Sequence, residues 1–188
     1  MSTDKKSICI GALTYIHSLL EKDYEVCGNL FMNSDYSEKC LIPSDMLKGT
    51  TILESERGSC VYKAYSPYIF HTHPNITLPY PSFEDYVKVM KHSEIKHSII
   101  FTSIGVWNIS CGDPIGKEEG ATFFHKNKLS YKNSRIENDL YYSVRRKHQE
   151  PTLNVHLETY IKNVTTYFKK VNMTIRFDKI DLEHPYYI

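Results

Sequence analysis

The segment from residue 71 to residue 85 constrains this chain most, because it concentrates side chains that bind and activate metal ions. It contains a His-Thr-His-Pro run, with His71 and His73, and a Ser-x-x-Asp run, from Ser82 to Asp85. Residues two apart in a strand point to one face, so both imidazoles can reach a single ion. Two imidazoles and one carboxylate leave an open fourth position, as in catalytic zinc sites. The segment therefore predicts one zinc ion bound by His71, His73 and Asp85.

The flanking residues predict the local structure that carries these side chains. Residues 68–70 (Tyr-Ile-Phe) are a β-prone run, which predicts a strand that ends at Pro74, because proline cannot donate to a ladder. Ser82 is a favourable N-cap and predicts a helix over residues 83–91, with Asp85 in the first turn, where the helix dipole favours negative charge. Ser82 and Asp85 also match a capping box, so a structural cap that binds no metal stays an alternative for this pair.

Together with an upstream glutamate, these residues resemble the motif of the JAMM (JAB/MPN) zinc metallopeptidases. Glu25 lies shortly before a Cys-Gly pair and 46 residues before His71, where that family has a catalytic glutamate. The resemblance covers roughly residues 8–125. Eight residues separate His73 from Ser82, one more than the family usually has. The extra residue falls in a proline-bearing loop, where insertions are tolerated.

The resemblance implies a role for each residue of the motif. His71, His73 and Asp85 would bind zinc, which lowers the pKa of its bound water to about 7. Glu25 would take the proton of that water and deliver it to the leaving amine, acting first as a base and then as an acid. Ser82 would donate a hydrogen bond to the oxyanion as it forms. The implied substrate is the isopeptide bond that joins ubiquitin, or a ubiquitin-like tag, to a lysine.

Two other classes of function stay open from the sequence. One is a non-catalytic MPN-type module of a larger assembly, which the helices predicted beyond residue 125 would favour as a surface for a partner protein. The other is a zinc hydrolase that acts on a small molecule or a peptide. The short stretch between Glu25 and His71 supports it, because little room is left for the insertions that help some relatives grip ubiquitin. The remaining histidines and cysteines form no second cluster at metal-ligand spacing.

Composition and charge narrow the classes of partner and the cellular location. The chain has 23 basic and 22 acidic residues and a net charge of +1, which predicts neither a nucleic-acid nor a membrane surface. No apolar run approaches the length of a membrane span. Five cysteines without a Cys-x-x-Cys pair, and no recognisable signal peptide, predict reduced thiols in a cytoplasmic or nuclear protein. Abundant Lys, Asn, Ile and Tyr are typical of AT-rich genomes, and a viral source would place the protein in the host cytoplasm or the virion.

The order of the predicted elements indicates an α/β fold. The resemblance implies a JAMM/MPN-like (cytidine-deaminase-like) fold over residues 1–125, with a curved mixed β-sheet flanked by helices. Residues 126–188 would form a C-terminal extension, whose amphipathic helix at about 152–171 either packs on the core or binds a partner. Trp107 is predicted to pack on a face of the sheet. The predicted helices lie at 8–20, 83–91, 135–146 and 152–171, and the predicted strands at 25–32, 40–42, 50–53, 60–65, 68–73, 97–101, 106–111, 122–125 and 173–177.

Overall fold

The structure of the chain is a computed structural model, which describes residues 6–33, 39–46, 53–54, 62, 65–133 and 150–188. Within these residues a mixed β-sheet is combined with helices, so the predicted α/β class is confirmed. The predicted helix at 135–146 lies outside the described residues, and so do most of the predicted strands at 50–53 and 60–65.

Nine strands and four α-helices fall in the described residues. The strands are β1 Ser7–Ile8, β2 Val26–Met32, β3 Leu41–Pro43, β4 Leu53–Glu54, β5 Tyr68–Thr72, β6 His97–Thr102, β7 Gly105–Cys111, β8 Met173–Asp178 and β9 Tyr186–Tyr187. The α-helices are α1 Ile10–Ser18, α2 Phe83–Lys91, α3 Lys117–Asn133 and α4 Glu150–Phe168. Short 3₁₀ turns are formed by Leu19–Glu21, Ser44–Met46 and Lys169–Val171.

Strand β5, which carries the first histidine of the motif, lies in the interior of the sheet. The sheet order is β8-β7-β6-β5-β2-β3-β1-β9, and β4 pairs with β2 beside this path. β5 runs antiparallel to β2 and parallel to β6. An interior strand is hydrogen-bonded along both edges, so two ladders hold its backbone. His71 therefore stands on a strand whose position is fixed from both sides.

The chain forms two compact units. Unit 1 contains the described residues of Met1–Tyr80, Glu94–Asn108 and Phe177–Ile188, and unit 2 contains those of Pro81–Ser93 and Ile109–Arg176. In unit 1, helix α1 covers one face of the sheet, and its Leu13 and Ile16 belong to a fully buried core with Leu30 of β2 and Phe70 of β5. A Cβ atom at Gly28 would lie only 2.9 Å from the Phe70 ring, so the glycine makes room for that ring.

Unit 2 is built around an aromatic cluster centred on Phe83 of α2. The Phe83 ring stacks on four aromatic rings from α3 and α4, which belong to Phe123, Phe124, Tyr131 and Phe168. The strand predicted at 122–125 is therefore wrong, because these residues lie within α3. The β-prone Thr-Phe-Phe run is embedded in a longer stretch of helix formers, with Glu118 and Glu119 in the favourable first turn. A helical period also brings Phe124 and Tyr131 to one face, which a short strand could not do.

The C-terminal helix and the strand after it are confirmed close to their predicted positions. Helix α4 and the 3₁₀ turn that follows it cover Glu150–Val171, and β8 matches the strand predicted at 173–177. Tyr160, Val164 and Phe168 recur every four residues of α4 and are buried, as an amphipathic helix requires. The division of the chain at residue 125 stays a prediction. None of the helices in the described residues is both long and apolar enough to cross a membrane.

The prediction of reduced cysteines is wrong for Cys9 and Cys40, which form a disulfide with their Cα atoms 5.2 Å apart. The parallel pairing of β1 with β3 sets Ile8 beside Leu41 and so brings the two cysteines together. The two cysteines are 31 residues apart and form no recognisable sequence motif, so the sequence did not indicate that they pair. In the chain-entropy model, closing a loop of this length stabilises the fold by about 3–4 kcal/mol. Cys27 is disulfide-bonded as well. The intracellular location of the protein stays a prediction.

Candidate metal centre

His71 and His73 bring two imidazole rings together at the end of β5. His71 belongs to the strand, and the backbone N–H of His73 donates to Phe101 O of β6 at 2.8 Å. The two Nε2 atoms lie 3.2 Å apart, and the residues are 1% and 7% exposed. The prediction that both rings share one side of the strand is confirmed by this distance. Two buried lone pairs this close repel each other unless a proton or a cation lies between them.

The ring of His73 is oriented by the loop that follows it. Its Nδ1 lies 3.1 Å from the carbonyl oxygen of Leu78, which can only accept, so Nδ1 carries the proton and Nε2 of the neutral ring offers a lone pair. Histidines that bind metals usually donate their other ring N–H in this way, because the bond fixes the tautomer and the ring orientation. The contribution of Leu78 could not be predicted, because a backbone carbonyl has no signature in the sequence.

Glu25 and His73 lie beside each other, just beyond the paired parts of β2 and β5. The two strands pair from Leu30 and Tyr68 to Cys27 and His71, and Glu25 and His73 each lie two residues beyond that last pair. Glu25 Oε1 lies 3.9 Å from His73 Nε2, and 29% of the Glu25 side chain is exposed. A carboxylate beside the imidazoles, with access to water, is in position to move a proton.

Two hydrogen bonds hold the loop after His73 to other parts of unit 1, one near each end of the loop. The backbone N–H of Asn75 donates to Leu20 O at 3.1 Å, and the indole Nε1–H of Trp107 donates to Pro79 O at 3.0 Å. Trp107 is fully buried, as its predicted packing requires, but its hydrogen bond to this loop was not predicted. Burial raises the pKa of Tyr80 to about 12, so its hydroxyl stays protonated. These contacts hold the segment that contains the extra residue relative to the JAMM motif.

Ser82 and Asp85 form the predicted capping box at the start of α2. Asp85 N donates to Ser82 Oγ at 3.3 Å, and Ser82 N donates to Asp85 Oδ2 at 2.8 Å. The Ser82 hydroxyl donates to the same Oδ2, also at 2.8 Å. Asp85 is 6% exposed, and its Oδ1 lies 3.8 Å from Lys88 Nζ. The box holds one carboxylate oxygen and thereby sets the direction of the other.

His71, His73 and Asp85 are each buried, and each offers an atom that can bind a metal ion. Ligands about 2.1 Å from a tetrahedral zinc ion are roughly 3.4 Å apart. The 3.2 Å between the two Nε2 atoms already matches that spacing. Two imidazoles and one carboxylate also make up one of the donor sets of catalytic zinc. The residues present therefore fit a zinc ion with one open position.

Comparison with known proteins identifies no relative of this chain. No family model matches it, and neither the curated proteins nor the solved structures include a match. The resemblance to the JAMM family therefore rests on the motif residues and on the distances between their side chains, and membership of that family is a proposal.

Proposed function

We propose that this chain is a zinc-dependent metallopeptidase of the JAMM type, which hydrolyses isopeptide bonds and removes ubiquitin or a ubiquitin-like tag. The observation that carries the proposal is the pair of buried imidazoles of His71 and His73, whose Nε2 atoms lie 3.2 Å apart. Glu25 Oε1, 3.9 Å from His73 Nε2, adds the proton acceptor that hydrolysis needs. A JAMM/MPN-like fold is part of the same proposal, supported by the mixed sheet and by the place of Glu25 directly before β2.

The three metal ligands and Glu25 each have a definite function in this proposal. His71 and His73 bind the metal through Nε2, and Asp85 binds it through a carboxylate oxygen. Bound zinc would supply an activated water and polarise the scissile carbonyl. Glu25 accepts a proton at its carboxylate and delivers it to the leaving amine. The partial exposure of the Glu25 side chain gives it room to reach both positions.

Ser82 has a structural and a catalytic function in the proposal. Its hydroxyl donates to Asp85 Oδ2 in the capping box, and its backbone N–H donates to the same oxygen. To stabilise an oxyanion, the hydroxyl must turn its proton from Asp85 to the substrate oxygen. The backbone N–H still holds the Asp85 carboxylate when this happens, so the metal ligand keeps its orientation.

The variants Ser82→Ala and Ser82→Gly separate these two functions. An alanine N-cap destabilises a helix by about 1 kcal/mol, whereas a glycine N-cap does so by only a few tenths. Both changes remove the hydroxyl, so we expect both to lower kcat by about 100- to 1,000-fold, the usual effect of losing one oxyanion donor. The measurements are kcat on an isopeptide-linked ubiquitin substrate and urea unfolding. A loss of activity that follows stability, and is small for Ser82→Gly, would show that Ser82 acts as a cap alone.

Removal of the metal tests the proposed function directly. We expect the purified protein to cleave lysine-linked ubiquitin chains, to lose this activity in a zinc chelator and to recover it with one equivalent of zinc, because only the metal activates the water. The measurement is the release of free ubiquitin over time. Zinc-loaded protein that cleaves no ubiquitin or ubiquitin-like conjugate would redirect the assignment to a hydrolase of peptides or small molecules.

A non-catalytic MPN-type module is the second candidate, and one observation favours it. The capping box gives Ser82 and Asp85 a structural reason to be present that requires no metal. In that case the folded protein would contain no zinc, and the exposed side of α4 would be the surface to test for a partner. The hydrolase is preferred because the capping box does not account for the Glu25 carboxylate, whose Oε1 lies 3.9 Å from His73 Nε2.

A further inference from the structure

The C-terminal helix α4 is hydrogen-bonded to the backbone at the start of α2. The hydroxyl of Tyr160 donates to the carbonyl oxygen of Pro81 at 2.9 Å, and Tyr160 is 2% exposed. Pro81 directly precedes Ser82, the N-cap of α2. Tyr160, which lies far beyond the metal-binding motif in the sequence, therefore holds the peptide group directly before the Ser82–Asp85 capping box.

A second tyrosine continues this chain of hydrogen bonds. The hydroxyls of Tyr86 and Tyr160 lie 2.7 Å apart. Because Tyr160 has one proton and gives it to Pro81 O, which can only accept, Tyr86 is the donor of this second bond. Tyr86 directly follows Asp85, so the two bonds hold the residue before Ser82 and the residue after Asp85. Linked hydrogen bonds in an apolar interior also polarise and strengthen one another.

The surroundings of the two tyrosines keep both hydroxyls available as donors. Tyr86 is 0% exposed and Tyr160 is 2% exposed, so water does not compete for either hydroxyl. The ring of Phe168 lies 4.7 Å from that of Tyr86 and packs against it.

We propose that Tyr160 is a positioning residue of the metal centre, which holds Pro81 and Tyr86 and thereby aims the Asp85 carboxylate at the metal. This inference rests on the proposed function, because it takes Asp85 as a ligand. It makes the buried face of α4 a part of the metal centre rather than a surface for a partner.

The variant Tyr160→Phe tests this inference, since it removes both hydrogen bonds and leaves the ring in place. We expect zinc to bind about 10-fold more weakly, because the loss of an outer-shell partner usually lowers metal affinity by 10- to 100-fold. Affinity is measured by competition with a chromophoric chelator. The visible absorption of the Co²⁺-substituted protein should also change, because it reports ligand geometry and not overall stability.

Two further variants decide between the outcomes. Tyr15→Phe removes a hydroxyl that hydrogen-bonds to Asp45 in unit 1, so it is a matched control and should leave zinc affinity and the Co²⁺ spectrum unchanged. Equal weakening in Tyr15→Phe and Tyr160→Phe, or a folded Tyr160→Phe that matches the parent, would overturn the inference. If Tyr160→Phe does not fold, Tyr86→Phe replaces it, and parental zinc binding in that variant would likewise overturn the inference.

Asp85→Asn separates this inference from the proposed function. If Asp85→Asn weakens zinc binding and Tyr160→Phe does not, the metal site stands and the positioning role of Tyr160 is lost. If Asp85→Asn binds zinc as tightly as the parent, the ligand set of the proposed function is wrong, and the inference is wrong with it.

Discussion

The variant His73→Ala is expected to purify without zinc, whereas the parent chain, expressed without added metal, should carry one zinc ion. His73 supplies one of three ligands and is itself held by Leu78 O, so its removal leaves only His71 and Asp85. The fall in affinity should exceed the roughly 10- to 100-fold that follows the loss of an outer-shell partner, because a ligand itself is missing. The measurement is zinc per chain by elemental analysis after gel filtration.

The matched control for this loss is His125→Ala, which removes an exposed histidine from α3. We expect this control to keep its zinc and to unfold at the same denaturant concentration as the parent. Near-ultraviolet circular dichroism establishes that His73→Ala is folded. If His73→Ala binds zinc as well as the parent does, the proposed site is wrong. If neither protein contains zinc, the non-catalytic module becomes the preferred candidate.

The variant Glu25→Gln is expected to keep its zinc and to lose hydrolysis. The amide has nearly the shape of the carboxylate but cannot accept the water proton, and Glu25 belongs to no part of the ligand group. General acid–base groups usually contribute about 100- to 10,000-fold to the rate, so kcat should fall by a factor in that range. The measurements are zinc content and the rate of cleavage of an isopeptide-linked ubiquitin substrate.

Glu158→Gln is the control for Glu25→Gln, since it removes the same charge from an exposed position on α4. Its zinc content and kcat should equal those of the parent. Unchanged kcat in Glu25→Gln would mean that another group moves the proton and that Glu25 is misassigned. Loss of zinc from Glu25→Gln would instead make this carboxylate a ligand, which contradicts its proposed role.

Local patterns in the sequence predicted those parts of the site that depend on neighbouring residues. The strand at His71, the N-cap at Ser82 and the helix that carries Asp85 follow from propensities and capping rules that act over a few residues. Alternation alone predicted that the side chains of His71 and His73 share a face. The short distance between their Nε2 atoms agrees with that prediction.

The same local rules failed where distant packing outweighed them. Residues 122–125 have β-branched and aromatic side chains but lie in a helix, because the buried ring of Phe83 stacks on the rings of Phe123 and Phe124. Propensity is a weak preference that tertiary contacts override. The disulfide between Cys9 and Cys40 was missed for a similar reason, since it depends on which strand pairs with β1.

The sequence by itself determined the residue types of the site, the elements that carry them and the α/β class, because these follow from chemistry and from short-range periodicity. Only the tertiary structure decided which groups meet. The register of β2 against β5 sets Glu25 beside His73, and the loop after His73 turns Leu78 O to its ring. Packing of α4 brings Tyr160 to Pro81. Register, loop course and helix packing depend on contacts between residues far apart in the chain, which a linear pattern does not encode.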